Sequence, residues 1–354
     1  MSRASRARRI AAAAAFGGGG LTFIGALGVG VVAAEATLAR RWIGQPFGIT
    51  GPDADGIYGP GPGDPLDLAV LGDSSAGGLG ADGPEHTPGA ILACGLAEVA
   101  DRPVRLTNVA VVGAESTGLA AQVDALLGRV SVPHVAVIMI GANDVTHRVR
   151  PAVAVRSLSA AVGRLREAGA EVVVGTCPDL GTIEPVAQPL RTIARRWSRE
   201  LAAAQTIAVV EAGGRSVSLA DILGREFAAD PRVLFSADRF HPSSAGYARM
   251  AATLLPSVCA AAGFWPDGGH ERGPELRRGE GVVPVAQAAV EAADDPGTEV
   301  AAIRVAGLDR GPLGRWARVL RRRRQPLPEV QGPRRDADDA PDPDGAETVG
   351  ATHE

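Results

Sequence analysis

Five short apolar runs, separated by stretches with helical spacing, fill the middle of this chain and restrict what it can fold into. They are Leu66–Leu71, Val104–Val112, His134–Ile140, Glu171–Thr176 and Thr206–Val210. Runs of this length, bounded by turn residues, suit strands that are buried on both faces. Between them, Val155, Leu158, Val162 and Leu165 form an apolar stripe ahead of Gly169. A second stripe is Leu190, Ile193, Trp197 and Leu201, with Arg191, Arg195 and Arg199 expected on the opposite face. Strands that alternate with helices imply a parallel sheet covered on both sides, so residues 64–263 are expected to form one three-layer α/β/α domain.

The flanks have a different character. Arg3, Arg6, Arg8 and Arg9 lie in a basic segment, residues 1–9, and no charge occurs from Ile10 to Ala34. At 1.5 Å per residue, about 25 residues in a helix cross the roughly 30 Å hydrocarbon layer, so residues 10–34 are expected to be a transmembrane anchor. A cleaved signal peptide is the alternative, because Ala34-Glu35-Ala36 resembles a cleavage site, but the apolar region exceeds the usual 7–15 residues. The arginine excess before the segment puts the N-terminus in the cytoplasm, with a single pass and an extracytoplasmic domain; secretion follows if the segment is cleaved. Residues 35–63 are rich in Gly, Pro and Asp and read as a linker. Residues 264–354 lose the periodicity and carry the basic block Arg321–Arg324 ahead of an acidic stretch, which fits a solvated, disordered tail. The alternative for the tail is contact of Trp316, Leu320 and the arginines with an anionic envelope surface.

Composition excludes several chemistries. All 36 basic residues are arginine, so neither a P-loop lysine nor a pyridoxal Schiff base is available. Aromatic residues make up 4% and the net charge is −4, which argues against a nucleic-acid partner. Cys94, Cys177 and Cys259 are too widely spaced for a zinc pattern or a disulfide framework.

Four short motifs fall at strand ends. The first run leads into Gly72-Asp73-Ser74-Ser75-Ala76-Gly77-Gly78, which places a serine at a glycine-rich turn. Ligands of open parallel sheets sit at the carboxyl ends of strands, so Ser74 is a candidate nucleophile, with Ser75 its competitor. A serine nucleophile needs a base and the base an orienting acceptor. Asp238-Arg239-Phe240-His241-Pro242 offers both, just before a final helix whose N-cap is Ser243 or Ser244. An oxyanion needs preorganised donors, each worth on the order of 10²–10³ in rate. Gly113 can present an unobstructed N–H after the second run, and Asn143, in Gly141-Ala142-Asn143-Asp144, carries an amide donor after the third. The chain has two asparagines, Asn108 and Asn143, and both lie in these stretches.

This ordered set resembles the SGNH (GDSL-type) hydrolases over Leu66 to about Gly263, and with its N-terminal apolar segment the chain looks like their membrane-associated or exported actinobacterial members. The resemblance implies a flavodoxin-like, five-stranded parallel sheet of strand order 2-1-3-4-5. It implies Ser74 as nucleophile, His241 as base and Asp238 as its partner, with the Ser74 N–H, Gly113 and Asn143 as the oxyanion hole. It implies hydrolysis of a small-molecule, lipid or polysaccharide acyl ester through an acyl-serine, with no metal or cofactor required. Asp73 is assigned to loop support.

Gly- and Ala-rich loops near the motifs point to short or medium acyl chains. An acyltransferase acting on a sugar or glycerol hydroxyl is the alternative, and an inactive envelope-binding protein with this fold the alternative of another class. His86 and His147 are expected near the site, Cys177 close enough to line a pocket, and His134, His270 and His353 away from it. Cys94 and Cys259 lie in helices that this fold would put on one face of the sheet; buried free thiols are expected, and a disulfide is the alternative that an extracytoplasmic location permits.

Overall fold

The computed structural model describes residues 46–129 and 132–264, together with Glu35. Six strands form one sheet: β1 (Gly56–Tyr58), β2 (Leu66–Gly72), β3 (Val104–Asn108), β4 (Val135–Met139), β5 (Glu171–Gly175) and β6 (Arg215–Val217). Their order is β1-β3-β2-β4-β5-β6, and all pairings are parallel except β1 on β3. Apart from β1, this is the expected 2-1-3-4-5 arrangement. The helices are α1 (Pro88–Ala100), α2 (Leu119–Arg129), α3 (Ala142–Thr146), α4 (Pro151–Ala168), α5 (Leu190–Glu211), α6 (Leu219–Ala229), α7 (Pro231–Leu234) and α8 (Ser244–Ala261).

Strand alternation sorts side chains into two apolar layers. Leu68, Val70, Val137 and Val173 join a cluster with Leu92 and Leu96 of α1 and Leu254 of α8. Their neighbours Ala69, Leu71, Ile138 and Val174 join Leu119, Val123, Leu158 and Leu165 of α2 and α4 on the other face. β4 is buried at every residue, as a central strand covered on both sides must be.

Four expectations change. Thr206–Val210 is helical, within the 22-residue α5; a short apolar run looks the same in a buried helix and a buried strand. The last strand instead follows Gly213, whose φ of 82° turns the chain into Arg215–Val217. The supposed linker contributes β1, with Tyr58 buried and its hydroxyl donating to the Ala54 carbonyl at 2.7 Å, so the sheet has six strands rather than five. The second strand stops at Asn108, short of Val112, because the Asn108 carboxamide accepts from the Ala110 N–H at 2.9 Å and turns the chain. On α5, Trp197 is 38% exposed while Ser198 and Leu201 are buried, and Arg199 is half-buried on an ion pair rather than turned to solvent.

The expected anchor over 10–34 and, apart from Phe264, the expected tail over 264–354 lie outside the described residues, and among the described residues no helix is long and apolar enough to cross a membrane. α1 and α8 pack together on one face, as expected for the helices of Cys94 and Cys259. Both thiols are free, and burial pushes them up to about 11 and about 12.

Candidate active site

The Ser74 turn is built around Gly72 at the end of β2. With φ at 137°, Gly72 sits so close to β4 that a Cβ would collide with the Met139 carbonyl, so only glycine fits. The chain then bends: the Asp73 N–H donates to that carbonyl at 3.0 Å, and the Asp73 carboxylate accepts from the Ser75 N–H at 2.9 Å. Burial pushes the Asp73 carboxyl up to about 6, and the Ser75 N–H opposes this. Asp73 thus supports the loop, as its place in the sequence suggests. Ser74 lies on the resulting turn, 6% exposed.

Residues 236–242 bring the base to it. The chain reverses at Arg239, whose φ is 55°, and closes with the Ser236 N–H on the His241 carbonyl at 2.8 Å. Asp238 organises the reversal: Oδ1 accepts from the Ser236 hydroxyl at 2.8 Å and from the Phe240 and His241 N–H groups, both at 2.9 Å. Oδ2 faces His241 Nδ1 at 2.5 Å. Burial alone would raise the Asp238 carboxyl, but the hydrogen bonds from the His241 ring and the Phe240 N–H outweigh it and hold the group below the usual range. The other ring nitrogen, Nε2, is 3.0 Å from Ser74 Oγ. Ser74, His241 and Asp238, from positions up to 167 residues apart, therefore form one hydrogen-bonded line. The histidine contacts Ser74 rather than Ser75. Ser243 is the N-cap of α8, accepting from the Gly246 N–H at 3.2 Å, and Ser244 instead bonds Asp82 at 2.6 Å.

The two donor loops meet each other. The Asn143 amide donates to the Ala114 carbonyl at 3.0 Å, next to Gly113, which adopts φ of 80° with open space on its Cβ side. Below them the buried Asp144 carboxylate, raised by burial, accepts from the Ser116 hydroxyl at 2.7 Å and from its N–H. Asn108 is committed elsewhere: its amide donates to the Ala76 carbonyl at 3.1 Å and so braces the Ser74 turn.

Sequence reasoning missed two buried glutamines. Gln122 of α2 accepts from the Gly72 N–H and donates to the Gly72 carbonyl, both at 2.8 Å, which fixes the backbone two residues before Ser74. Gln205 of α5 does the same across the next strands, accepting from the Cys177 N–H at 2.8 Å and donating to the Ile140 carbonyl at 3.2 Å. The available signal was a polar residue inside an apolar stripe, since Gln122 lies beside Leu119, Val123 and Leu126.

A pocket open to solvent adjoins Ser74 and His241. Its walls are mainly apolar, with Leu180, Ile183, Leu219, Leu223, Phe227 and Phe240 prominent. Cys177 does not line it; the thiol is fully buried, raised well above its ordinary range by burial, and near the Pro178 carbonyl. His86 and His147 do not line it either, and each stands beside a carboxylate, Glu85 at 3.4 Å and Glu115 at 3.0 Å. His134 is structural, its Nδ1 accepting from the Asp67 N–H at 3.0 Å.

A family model described as the GDSL-like Lipase/Acylhydrolase family matches residues 70–249. The chain is 44% identical over 256 residues to the GDSL-like esterase Rv1075c of Mycobacterium tuberculosis (strain ATCC 25618 / H37Rv), an alignment that covers 70% of this chain and 80% of that relative. Among solved structures it is similar to TesA, at 24% identity and a TM-score of 0.42, over 52% of this chain and 94% of TesA. It is also similar to Axe2, an acetylxylan esterase from Geobacillus stearothermophilus, at 19% identity and a TM-score of 0.42, over 59% of this chain and 99% of that one.

Proposed function

The chain belongs to the GDSL-like lipase/acylhydrolase family, and on that premise we propose that Ser74, His241 and Asp238 hydrolyse a carboxylic ester through an acyl-serine. The protein is a serine hydrolase of the esterase/lipase type. The observation that carries the assignment of roles is the line from Ser74 Oγ through the His241 ring to Asp238, 3.0 Å and 2.5 Å. His241 Nε2 takes the hydroxyl proton as Ser74 Oγ bonds to the ester carbonyl carbon. The tetrahedral oxyanion is received by the Ser74 N–H, the Gly113 N–H and the Asn143 amide, whose bond to Ala114 fixes its orientation. As the carbon–oxygen bond to the alcohol breaks, His241 returns the proton to the leaving oxygen. Water then repeats the sequence on the acyl-serine and releases the acid. Asp238 holds the ring in the tautomer that leaves Nε2 free to accept, and stabilises the imidazolium that forms.

The mainly apolar pocket beside Ser74 supports an acyl chain of short or medium length as the part of the substrate it receives. The GDSL-like esterase from Mycobacterium supports an ester rather than a thioester or amide. For location, the apolar segment 10–34 and the arginines before it support a single-pass anchor with the catalytic domain outside the cytoplasmic membrane. The Glu35 carboxylate, directly after that segment, accepts from the Leu190 N–H at 3.0 Å, so the chain meets the domain at the start of α5.

Labelling with a fluorophosphonate tests the site. Ser74→Ala is expected to abolish both labelling and ester turnover, and Ser75→Ala to keep both; the reverse pattern overturns the assignment. A phosphatase fused after Arg41 is expected to be active outside the membrane, and an inactive fusion overturns the topology.

A further inference from the structure

The pocket crosses the carboxyl edge of the sheet. Its walls take Ser74 from the loop after β2, Ala142 from the start of α3 after β4, Asp179 from the loop after β5 and Leu219 from the start of α6 after β6. Neighbouring strands are about 4.8 Å apart, so the ends of β2 and β5 are about 10 Å apart, the reach of an extended acyl chain of roughly eight carbons.

At the β5 position the apolar lining is interrupted. The Asp179 carboxylate, nearly buried, accepts from the Gly181 N–H at 2.9 Å and pairs with Arg199 at 3.0 Å and Arg195 at 3.5 Å. Methylene groups passing this ion pair would exclude water from it without replacing any of its bonds, which is costly. Against the same carboxylate stands Gly224, in the interior of α6 and on its buried face. A glycine there costs a helix roughly 1 kcal/mol relative to alanine. Neither backbone nor packing explains it. Gly224 is helical with no positive φ, and a Cβ would sit 3.4 Å from the Asp179 Cβ, an ordinary contact. Gly224 and Asp179 both line the pocket, and the missing side chain leaves the wall low beside the carboxylate.

We propose that Gly224, against the Asp179–Arg199 ion pair, ends the acyl pocket and sets the longest chain this enzyme turns over efficiently, a medium chain of roughly eight carbons. The proposal rests on the acylation of Ser74 described above. A side chain at 224 would start against Asp179, whose Cβ, Oδ2 and Cγ lie 3.4, 3.5 and 3.9 Å from a Cβ there, and would fill the pocket beside that carboxylate rather than at the reacting carbonyl.

The test uses the full-length chain and nitrophenyl acetate, octanoate and palmitate, with kcat/KM for each and fluorophosphonate labelling of Ser74 in every variant. The wild type is expected to favour octanoate over palmitate. Gly224→Leu is expected to lower the octanoate-to-acetate ratio by at least about tenfold, and Gly224→Ala by severalfold, on the scale of methylene-sized discrimination. Gly163→Ala, in the interior of α4 with nothing within 4 Å of its added Cβ, gains the same helix propensity and is expected to leave the ratio unmoved. Gly224→Ala keeps the test decisive where the leucine variant does not fold. An unmoved ratio in a Gly224 variant that still labels overturns the gauge and leaves the esterase reading intact. Palmitate turned over as well as octanoate by the wild type does the same. A wild-type protein that does not label at Ser74 overturns the nucleophile assignment and the gauge together.

Discussion

The two halves of the site are assembled by opposite means. The loop at 236–242 is local: Asp238 accepts from Ser236, Phe240 and His241, all within three residues of it, and orients the histidine from the same reversal. The turn at Ser74 depends on distant groups. Its backbone is held by Gln122 from α2, by the Met139 carbonyl of β4 and by the Asn108 amide at the end of β3. A local loop can carry its geometry in a few consecutive residues, whereas the serine turn is correct only when the sheet and α2 are in place. Damage to the first half should therefore appear in chemistry, and damage to the second in stability as well.

The largest effect tests the local half. Asp238→Asn keeps a similar shape but removes the charge opposite the imidazolium, and it is expected to lower kcat/KM by about 10⁴. The midpoint of urea unfolding is expected to move much less, because Asn can still accept from the Phe240 and His241 N–H groups. Equal collapse of activity and stability would erase the contrast between the halves. The next effect tests the long-range half: Gln122→Leu strands the Gly72 N–H and carbonyl in the core. Each unsatisfied buried group costs about 1–3 kcal/mol, so unfolding free energy is expected to fall by about 2–6 kcal/mol. Gln122→Glu, which restores an acceptor for the Gly72 N–H but no donor for its carbonyl, is expected to recover little. Labelling of Ser74 in the surviving folded fraction is expected to slow.

The same contrast explains what the sequence disclosed. Asp-x-x-His and Gly-Asp-Ser are short, and each binds its own backbone, so residue type and spacing carry the information. Five parallel strands follow the order that the family resemblance implied. What escaped depended on partners far along the chain. Thr206–Val210 has the composition of a strand, but α5 continues through it because Ala202, Ala204 and Ala208 let it lie close against the domain core. β1 is three residues long amid glycine and proline, and it is a strand because β3 offers an edge and Tyr58 finds a buried seat. Gln122 and Gln205 have no local signature beyond a polar residue on a buried face, since their function is to satisfy backbone groups 28 to 65 residues away.

The smallest expected effect concerns Asp73, which belongs to both halves: it bonds its own turn through Ser75, yet its pKa is set by burial beneath the far loops. Its folded value of about 6 lies above the 3.8 of an ordinary aspartate. Between those two values the folded protein holds more protons than the unfolded chain, so this group makes stability fall as pH rises from about 4 to about 6 and contributes a constant deficit above that. The deficit is roughly 3 kcal/mol at 1.36 kcal/mol per pH unit, and the ionised form bears it as the cost of a buried charge. Asp73→Asn removes the titration while its side-chain oxygen can still accept from the Ser75 N–H. The variant is therefore expected to gain stability over the wild type at pH 8 and to lose that advantage at pH 4, as read from urea unfolding at both values. A gain of the same size at both pH values would mean that the folded carboxyl titrates no higher than it does in the unfolded chain. That would remove Asp73 from the comparison, and the distinction between the two halves would rest on Gln122, the Met139 carbonyl and the Asn108 amide.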